Sequence, residues 1–216
     1  VTRPDARPAR HPDAAPPTRR SAPHEVRLIG GLWRRSKLPV ADLPGLRPTP
    51  DRVRETLFNW LGQDLAGWRV LDAFAGSGAL GFEAASRGAS RVVLLESNNK
   101  LITSLRSSQA RLGASQIEIR QTDALQWMNR AEPGHFDLVL LDPPFGADLF
   151  ERALSAARPL IGAEGLIYLE ADRALGTEAL QPLGLQLRRA GQAGAVHFHL
   201  LEPLRAELST PPATVV

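Results

Sequence analysis

The chain has 216 residues, 43% of them hydrophobic, with a formal net charge of +3 and no cysteine. That length suffices for one well-buried core, and the lack of cysteine excludes disulfides and thiolate metal sites. No apolar run is long enough to span a bilayer and the amino-terminal stretch is too polar for a secretory signal, so a soluble, cytoplasmic monomer is expected.

The charge is unevenly spread. Residues 1–54 carry 12 Lys/Arg against 5 Asp/Glu, whereas residues 55–216 carry 14 against 18. A basic leading segment on a mildly acidic globule suggests a polyanionic partner. Residues 1–24 are rich in Pro, Arg and Ala and have almost no large apolar groups. They cannot bury enough surface to offset ordering entropy and read as a disordered basic tail. In "EVRLIGGLWRRSKLPV" two short apolar runs flank Gly30-Gly31 and a basic centre, which predicts a hairpin carrying Trp33, Arg34, Arg35 and Lys37 on its outer part. "LRPTPDRVRETLFNWL" follows, with Thr49 or Asp51 as helix caps and Val53, Leu57, Trp60 and Leu61 at helical spacing.

From Trp68 onward strands and helices alternate: strand 69–73, helix 79–87, strand 91–95, helix 98–112, strand 117–120, helix 124–130, strand 137–141, helix 148–158 and strand 165–170. Apolar stretches at 183–189 and 195–201 read as a closing hairpin through Gly191 and Gly194. Repeated βα units and a final hairpin predict an α/β fold with an open, mostly parallel sheet and an antiparallel last strand. His197 and His199 alternate along that last strand and read as sheet histidines rather than as a catalytic base. Residues 206–216 read as a flexible tail.

In such a sheet ligands bind beyond the carboxyl ends of the strands, so those ends carry the chemistry. The first ends in "LDAFAGSGALG", where Gly76, Gly78 and Gly81 fit G-x-G-x-x-G and let a ligand approach the backbone closely. Glu96 ends the second strand, twenty residues after Gly76, where an acid can take both hydroxyls of a ribose. Asp72, Glu96, Asp123 and Asp142 all fall at strand ends, so four acids are expected to converge on one crevice. A pyrophosphate would meet like charge there, at a cost of several kcal/mol by order-of-magnitude Coulomb reasoning. A ligand with an ammonium, a sulfonium and a ribose diol suits the acids better, which points to S-adenosyl-L-methionine. Glu96 would take its ribose, Asp123 its adenine amino group, and Asp72, Phe74, Gly76 and Gly78 its methionine end. Asp123 reads at least as well as the N-cap of the next helix.

The stretch "DLVLLDPPF" is a buried strand that ends in an acid, two prolines and an aromatic. The prolines fix the backbone and hold Asp142 extended. An amino group conjugated to a base is a poor nucleophile, because its lone pair is delocalised into the ring. The Asp142 carboxylate and the Pro143 carbonyl can accept its hydrogens and take up developing charge, Pro144 stiffens the turn, and Phe145 offers a stacking face to a flipped-out base. Such a displacement needs positioning, and neither a metal nor a covalent nucleophile.

These residues resemble the amino-methylating S-adenosylmethionine-dependent methyltransferases, with "DPPF" as their [DN]-PP-[FYW] tetrapeptide. More closely, "RLIGGLWRRSKLPV", "GLRPTPDRVRETLFNWL", "LDAFAGSGALGFEAASRGA" and "LDPPF" are similar to the ribosomal RNA small subunit methyltransferase D family, which methylates guanine N2 in 16S ribosomal RNA. The similarity runs from about Val26 to Leu204. It implies a Rossmann-like methyltransferase fold with a seven-stranded sheet, acting on 16S ribosomal RNA or the assembling small subunit. It also implies an RNA-gripping extension over residues 25–50, a methyltransferase domain over 51–205, and Arg47, Thr49, Arg52 and Glu55 in a motif beside the cofactor crevice, with Arg47 among the RNA contacts. Residues 1–24 depart from the family pattern. Taken without the resemblance, the tetrapeptide also allows a DNA adenine-N6 methyltransferase, and the fold alone also allows a non-catalytic RNA-binding assembly factor.

Overall fold

The computed structural model describes residues 25–41, 49–144 and 149–204. The expected tails, Arg47 and Phe145 lie outside the described residues. A two-stranded antiparallel ribbon, β1 (Glu25–Arg27) and β2 (Lys37–Pro39), precedes helix α1 (Asp51–Trp60). The alternation then runs β3 (Arg69–Asp72), α2 (Ala79–Ser86), β4 (Arg91–Glu96), α3 (Asn99–Leu112), β5 (Ile117–Gln121), α4 (Ala124–Met128), β6 (Phe136–Leu141), α5 (Leu149–Ala157) and β7 (Ile161–Ala171). Helix α6 (Thr177–Leu180) leads into β8 (Leu185–Ala193) and β9 (Val196–Pro203).

Strands β3 to β9 form one seven-stranded sheet in the order β5-β4-β3-β6-β7-β9-β8. The βα units pair in parallel, and β9 enters between β7 and β8 antiparallel to both. The fold is therefore the expected one, with the chain's last strand as the antiparallel member. Strand order reverses between β3 and β6, so the switch point lies between the Asp72 and Asp142 strand ends.

The continuous apolar runs of the central strands reflect burial on both faces. Val70, Val92, Leu94, Leu138 and Leu140 face one layer, with α1, α2, α3 and the ribbon; Leu71, Val93, Leu95, Val139 and Leu141 face the other, with α4, α5 and α6. Alternate residues of one strand thus belong to opposite cores, as a period of two requires.

Two departures from the sequence expectation have a clear physical cause. Strand β7 begins at Ile161 rather than 165, because Ile161 pairs with Phe136 across a register shift before the main ladder starts at Leu138↔Leu166. Its polar and glycine-rich beginning, "GAEG", hides that pairing from an apolar-pattern reading. The closing hairpin turns at Gly194, with φ +61°, while Gly191 lies inside β8, where a Cβ would come within 2.3 Å of the Phe198 ring. Glycine is needed there for close approach, not for a turn.

Candidate active site

The turn after β3 is built from its glycines. Gly76 and Gly78 both have left-handed φ, +52° and +80°, which glycine adopts without strain, and Gly78 serves as the N-cap of α2. Gly81 lets α2 lie against the sheet: a Cβ there would stand 2.2 Å from Leu94 Cδ2, and its backbone N–H donates to Asp72 Oδ2 at 2.9 Å. Glu96 closes the turn from β4. Its carboxylate accepts from the Gly76 N–H at 3.0 Å and the Asn98 N–H at 2.8 Å, so it holds both the glycine turn and the start of α3.

Asp72 is 1% exposed and has no cationic partner among the described residues. Burial pushes its carboxyl up to about 7; the Gly81 and Phe74 N–H groups oppose the rise, and Glu96 and Glu170 add to it. A buried acid in that state favours a ligand that brings positive charge. Phe74 is half-buried in the turn between Asp72 and Gly76.

Asp142 leaves β6 at the switch point, followed by a buried Pro143 and an exposed Pro144. The prolines give the chain a rigid exit without backbone donors, as the sequence reading requires. The Thr49 hydroxyl, buried just ahead of α1, donates to Asp142 Oδ2 across 3.4 Å. Burial and the neighbouring Glu170 and Asp72 hold the Asp142 carboxyl well above the usual carboxylate range, with Thr49 acting against them. Glu170 stands at the end of β7, 3% exposed, and its Oε1 accepts from the Tyr168 hydroxyl at 2.9 Å. Its carboxyl is raised by burial, opposed by the Thr49 and Tyr168 hydroxyls.

The convergence of acids thus occurs with a different membership. Asp72 and Glu170, both buried, and the half-buried Asp142 on the strand between them are the mutually interacting set, with Glu96 beside Asp72. Asp123 is exposed and caps α4, its Oδ1 accepting from the Gln126 N–H at 2.8 Å, although it lies on the same sheet edge as Glu96. Glu170 ends a predicted strand just as Asp72, Glu96 and Asp142 do, so the pattern could have found it. Among the described residues no group of His, Cys, Asp or Glu is gathered to hold a metal ion. His199 is buried with its Nε2 accepting from the Leu175 N–H at 3.1 Å, a structural sheet histidine.

The ribbon is tied to the glycine-turn helix through a buried polar cluster. Glu83 of α2 is fully buried and accepts from the Ile29 and Gly30 N–H groups, each at 2.8 Å, and from Arg87 Nε at 2.9 Å. Arg54, also fully buried, donates to the Arg27 carbonyl at 2.9 Å and lies 3.7 Å from Glu83. In α1 it is therefore Arg54 that turns inward, while Arg52 and Glu55 are exposed. Gly31, with φ +71°, seats the ribbon turn on α2, where a Cβ would stand 1.8 Å from the Ser86 carbonyl oxygen.

Arg34, Arg35 and Lys37 are exposed on the outer side of this docked turn, together with Leu32, which is 81% exposed. Lys37 pairs with Glu25 at 2.6 Å. Trp33 does not share that surface. Expected as an RNA contact, it is 9% exposed and packs edge-on against Phe82, with ring centroids 6.4 Å apart. The docking of the ribbon on α2 takes the indole into the core, so no face is left for stacking.

A sheet covered by helices on both faces, a glycine turn after its first strand and an antiparallel last strand define a Rossmann-like methyltransferase fold. A precorrin-6y C5,15-methyltransferase from Geobacter metallireducens shares this fold, with a TM-score of 0.58 at 20% identity over 76% of this chain and 92% of its own. Residues 26–202 match the family described as conserved hypothetical protein 95. The chain is 39% identical over 180 residues to the ribosomal RNA small subunit methyltransferase D of Escherichia coli strain K12, covering 82% of this chain and 90% of that one. It is 40% identical over 187 residues to the protein of the same name from Haemophilus influenzae, covering 84% and 96%. The solved structure of the Escherichia coli protein yhhF superposes with a TM-score of 0.71 at 37% identity, over 83% of this chain and 98% of that one. The chain belongs to the ribosomal RNA small subunit methyltransferase D family.

Proposed function

We propose that this protein transfers a methyl group from S-adenosylmethionine to the N2 amino group of a guanine in 16S ribosomal RNA. The observation that carries this reading is Asp142: a carboxylate on a proline-stiffened exit from β6, one strand away from Asp72 and the glycine turn. Relatives bearing the name of a small-subunit ribosomal RNA methyltransferase, similar over more than four fifths of the chain, support the substrate class.

The residues present fit the cofactor. Asp72 is a buried acid without a cation, Gly76 and Gly78 leave the turn free of side chains, and Glu96 presents a carboxylate beside them. When bound, S-adenosylmethionine supplies a methyl group on a positively charged sulfur that leaves as a neutral thioether with the bonding pair. The chain's own part is to place the base and manage its protons. Asp142 and the Pro143 carbonyl accept the amino hydrogens, localise the lone pair on nitrogen and take up the charge that develops there. Asp142 then receives the proton that the methylated nitrogen loses. Arg34, Arg35 and Lys37 stand ready for RNA phosphates, and Arg47 and Phe145 keep the roles of RNA contact and base-stacking face.

The test is methyl transfer from labelled S-adenosylmethionine to small subunits purified from cells lacking the protein, followed by digestion to nucleosides. Label in N2-methylguanosine is expected. Label in methyladenosine, or in DNA but not RNA, would overturn the assignment.

A further inference from the structure

The basic turn of the ribbon and the glycine turn of the site lie at opposite ends of α2. The helix begins at Ala79, beside the carboxyl ends of the strands, and the ribbon turn is held at its other end. There the Leu32 N–H donates to the Ser86 carbonyl at 2.7 Å and the Trp33 N–H to the Ser86 hydroxyl at 2.9 Å. Arg34 and Arg35 are thus set a helix length away from the strand ends. An RNA held by that turn has to cross the protein surface before its base can meet Asp142.

Helix α3 spans the same distance. It starts at the site end, where the Asn98 side chain caps it by accepting from the Lys100 N–H at 2.9 Å, and the Asn98 N–H is one of the two that Glu96 holds. Its 14 residues run about 21 Å toward the other end. There Arg111 Nη2 donates to the Lys37 carbonyl, a partner 74 positions away in the chain, and joins the helix to the ribbon.

This bond brings together two segments from which acids are missing. Residues 26–41 contain Arg27, Arg34, Arg35 and Lys37 and no acid; residues 97–117 contain Lys100, Arg106 and Arg111 and no acid. Over residues 55–216 acids outnumber Lys/Arg 18 to 14, so the α3 segment is a local reversal of charge. All seven cations are exposed. On α3 they share the solvent face opposite the buried Leu101, Ile102, Leu105 and Ser108, with exposed Thr103, Ser107 and Ala110 between them. A helix that needed only solubility would mix signs and pair them at i, i+4, and α3 has no acid with which to do so. Glu118, the next acid along the chain, lies beside Val93 on the opposite face of the sheet and binds Arg91. Lys100 and Arg106 hold no ion pair among the described residues. The small side chains between the cations let a sugar–phosphate backbone lie close, whereas a protein partner would find no large exposed apolar group on this helix.

We propose that α3 is the bed of the substrate RNA: the backbone runs from the ribbon turn over Arg111, Arg106 and Lys100 to the cofactor end, and so delivers the target nucleotide to the strand ends. The inference rests on the reading of an RNA substrate given above, and it extends the RNA surface beyond the ribbon.

The test uses the full chain and small subunits purified from cells lacking the protein. Because the chain has no cysteine, Ser107→Cys gives a single anchor for a photoreactive aryl azide on α3, and Ser155→Cys gives one on α5 in the opposite layer. The α3 probe is expected to crosslink to 16S ribosomal RNA and the α5 probe not to. Crosslinks from α3 to a ribosomal protein alone, no crosslinks from α3, or equal RNA crosslinking from both positions would overturn the proposal. Binding is then followed against salt. Lys100→Ala combined with Arg106→Ala should weaken binding about tenfold to thirtyfold near 0.15 M salt and flatten the salt slope by about 1.4–1.8, the scale of two phosphate contacts. Arg130→Ala combined with Arg152→Ala removes the same charge from the opposite layer and should change the affinity less than about twofold. Wild-type affinity and slope in the α3 variant, or an equal loss in both variants, would overturn the role of α3 while leaving the methyl-transfer reading intact. Wild-type protein that binds and crosslinks as expected but forms no N2-methylguanosine would instead remove that reading and leave the RNA bed in place.

Discussion

Replacing Asp72 with Asn should change how stability depends on pH, in a direction and by an amount that the site's geometry fixes. In the folded protein this carboxyl is pushed from 3.8 up to about 7, mainly by burial, whereas the unfolded chain returns it to water. Between those values the folded state therefore holds a proton that the unfolded state has released. The contribution is fully present below about pH 3.8 and is lost as pH rises through about 7. Roughly three units at about 1.36 kcal/mol each give a change on the order of 4 kcal/mol. Asn keeps an oxygen to accept the Gly81 N–H and has no charge to bury, so Asp72→Asn should be exempt. Asp142 and Glu170, also raised, act in the same direction, while Asp137, lowered through its bonds to Arg69, acts oppositely and loses its contribution in acid. The informative quantity is accordingly the difference between wild type and variant. Urea unfolding at about pH 4.5 and pH 8 should show the variant gaining up to about 4 kcal/mol relative to wild type at the higher pH. Parallel pH curves for the two proteins would refute the view that Asp72 is a buried acid without a counter-charge.

Three further outcomes follow from the geometry. Glu96→Ala should weaken S-adenosylmethionine by about 1.5–3 kcal/mol in calorimetry, because it removes a carboxylate and also frees the Gly76 and Asn98 N–H groups that hold the turn. Replacing Arg34, Arg35 and Lys37 together with Ala should weaken RNA binding and reduce its salt slope by about 0.7–0.9 per lost phosphate contact, with cofactor affinity unchanged; an unaltered slope would free the ribbon of this role. Gly31→Ala should destabilise the protein by several kcal/mol in thermal unfolding, since a Cβ at φ +71° meets the Ser86 carbonyl and the ribbon cannot dock without moving.

The βα alternation, the glycine turn and the strand-end acids were legible in the sequence because each is a local pattern: continuous apolar runs for doubly buried strands, glycines where the backbone turns left-handed, an acid where each run stops. What depends on packing between distant segments was not. Nothing local distinguishes Arg54 from Arg52, yet only the former is carried inward, by the face of α1 that meets α2 and the ribbon. Trp33 lies in a basic turn and looked outward-facing, but the docking of that turn on Ser86 drew it under. Glu170 shared the strand-end position of the other acids; the acids it stands beside, Asp142 and Asp72, come from segments about thirty and about a hundred residues away in the chain.

The most direct test of the central claim is the single-turnover rate of methyl transfer to unmodified small subunits by Asp142→Ala, with cofactor affinity measured on the same preparation. A fall of at least about a hundredfold, the scale of losing one transition-state hydrogen-bond acceptor, is expected with cofactor affinity nearly unchanged. A rate close to wild type would mean that Asp-Pro-Pro is only the turn that ends β6, and Asp142 would not be the group that holds the amino nitrogen.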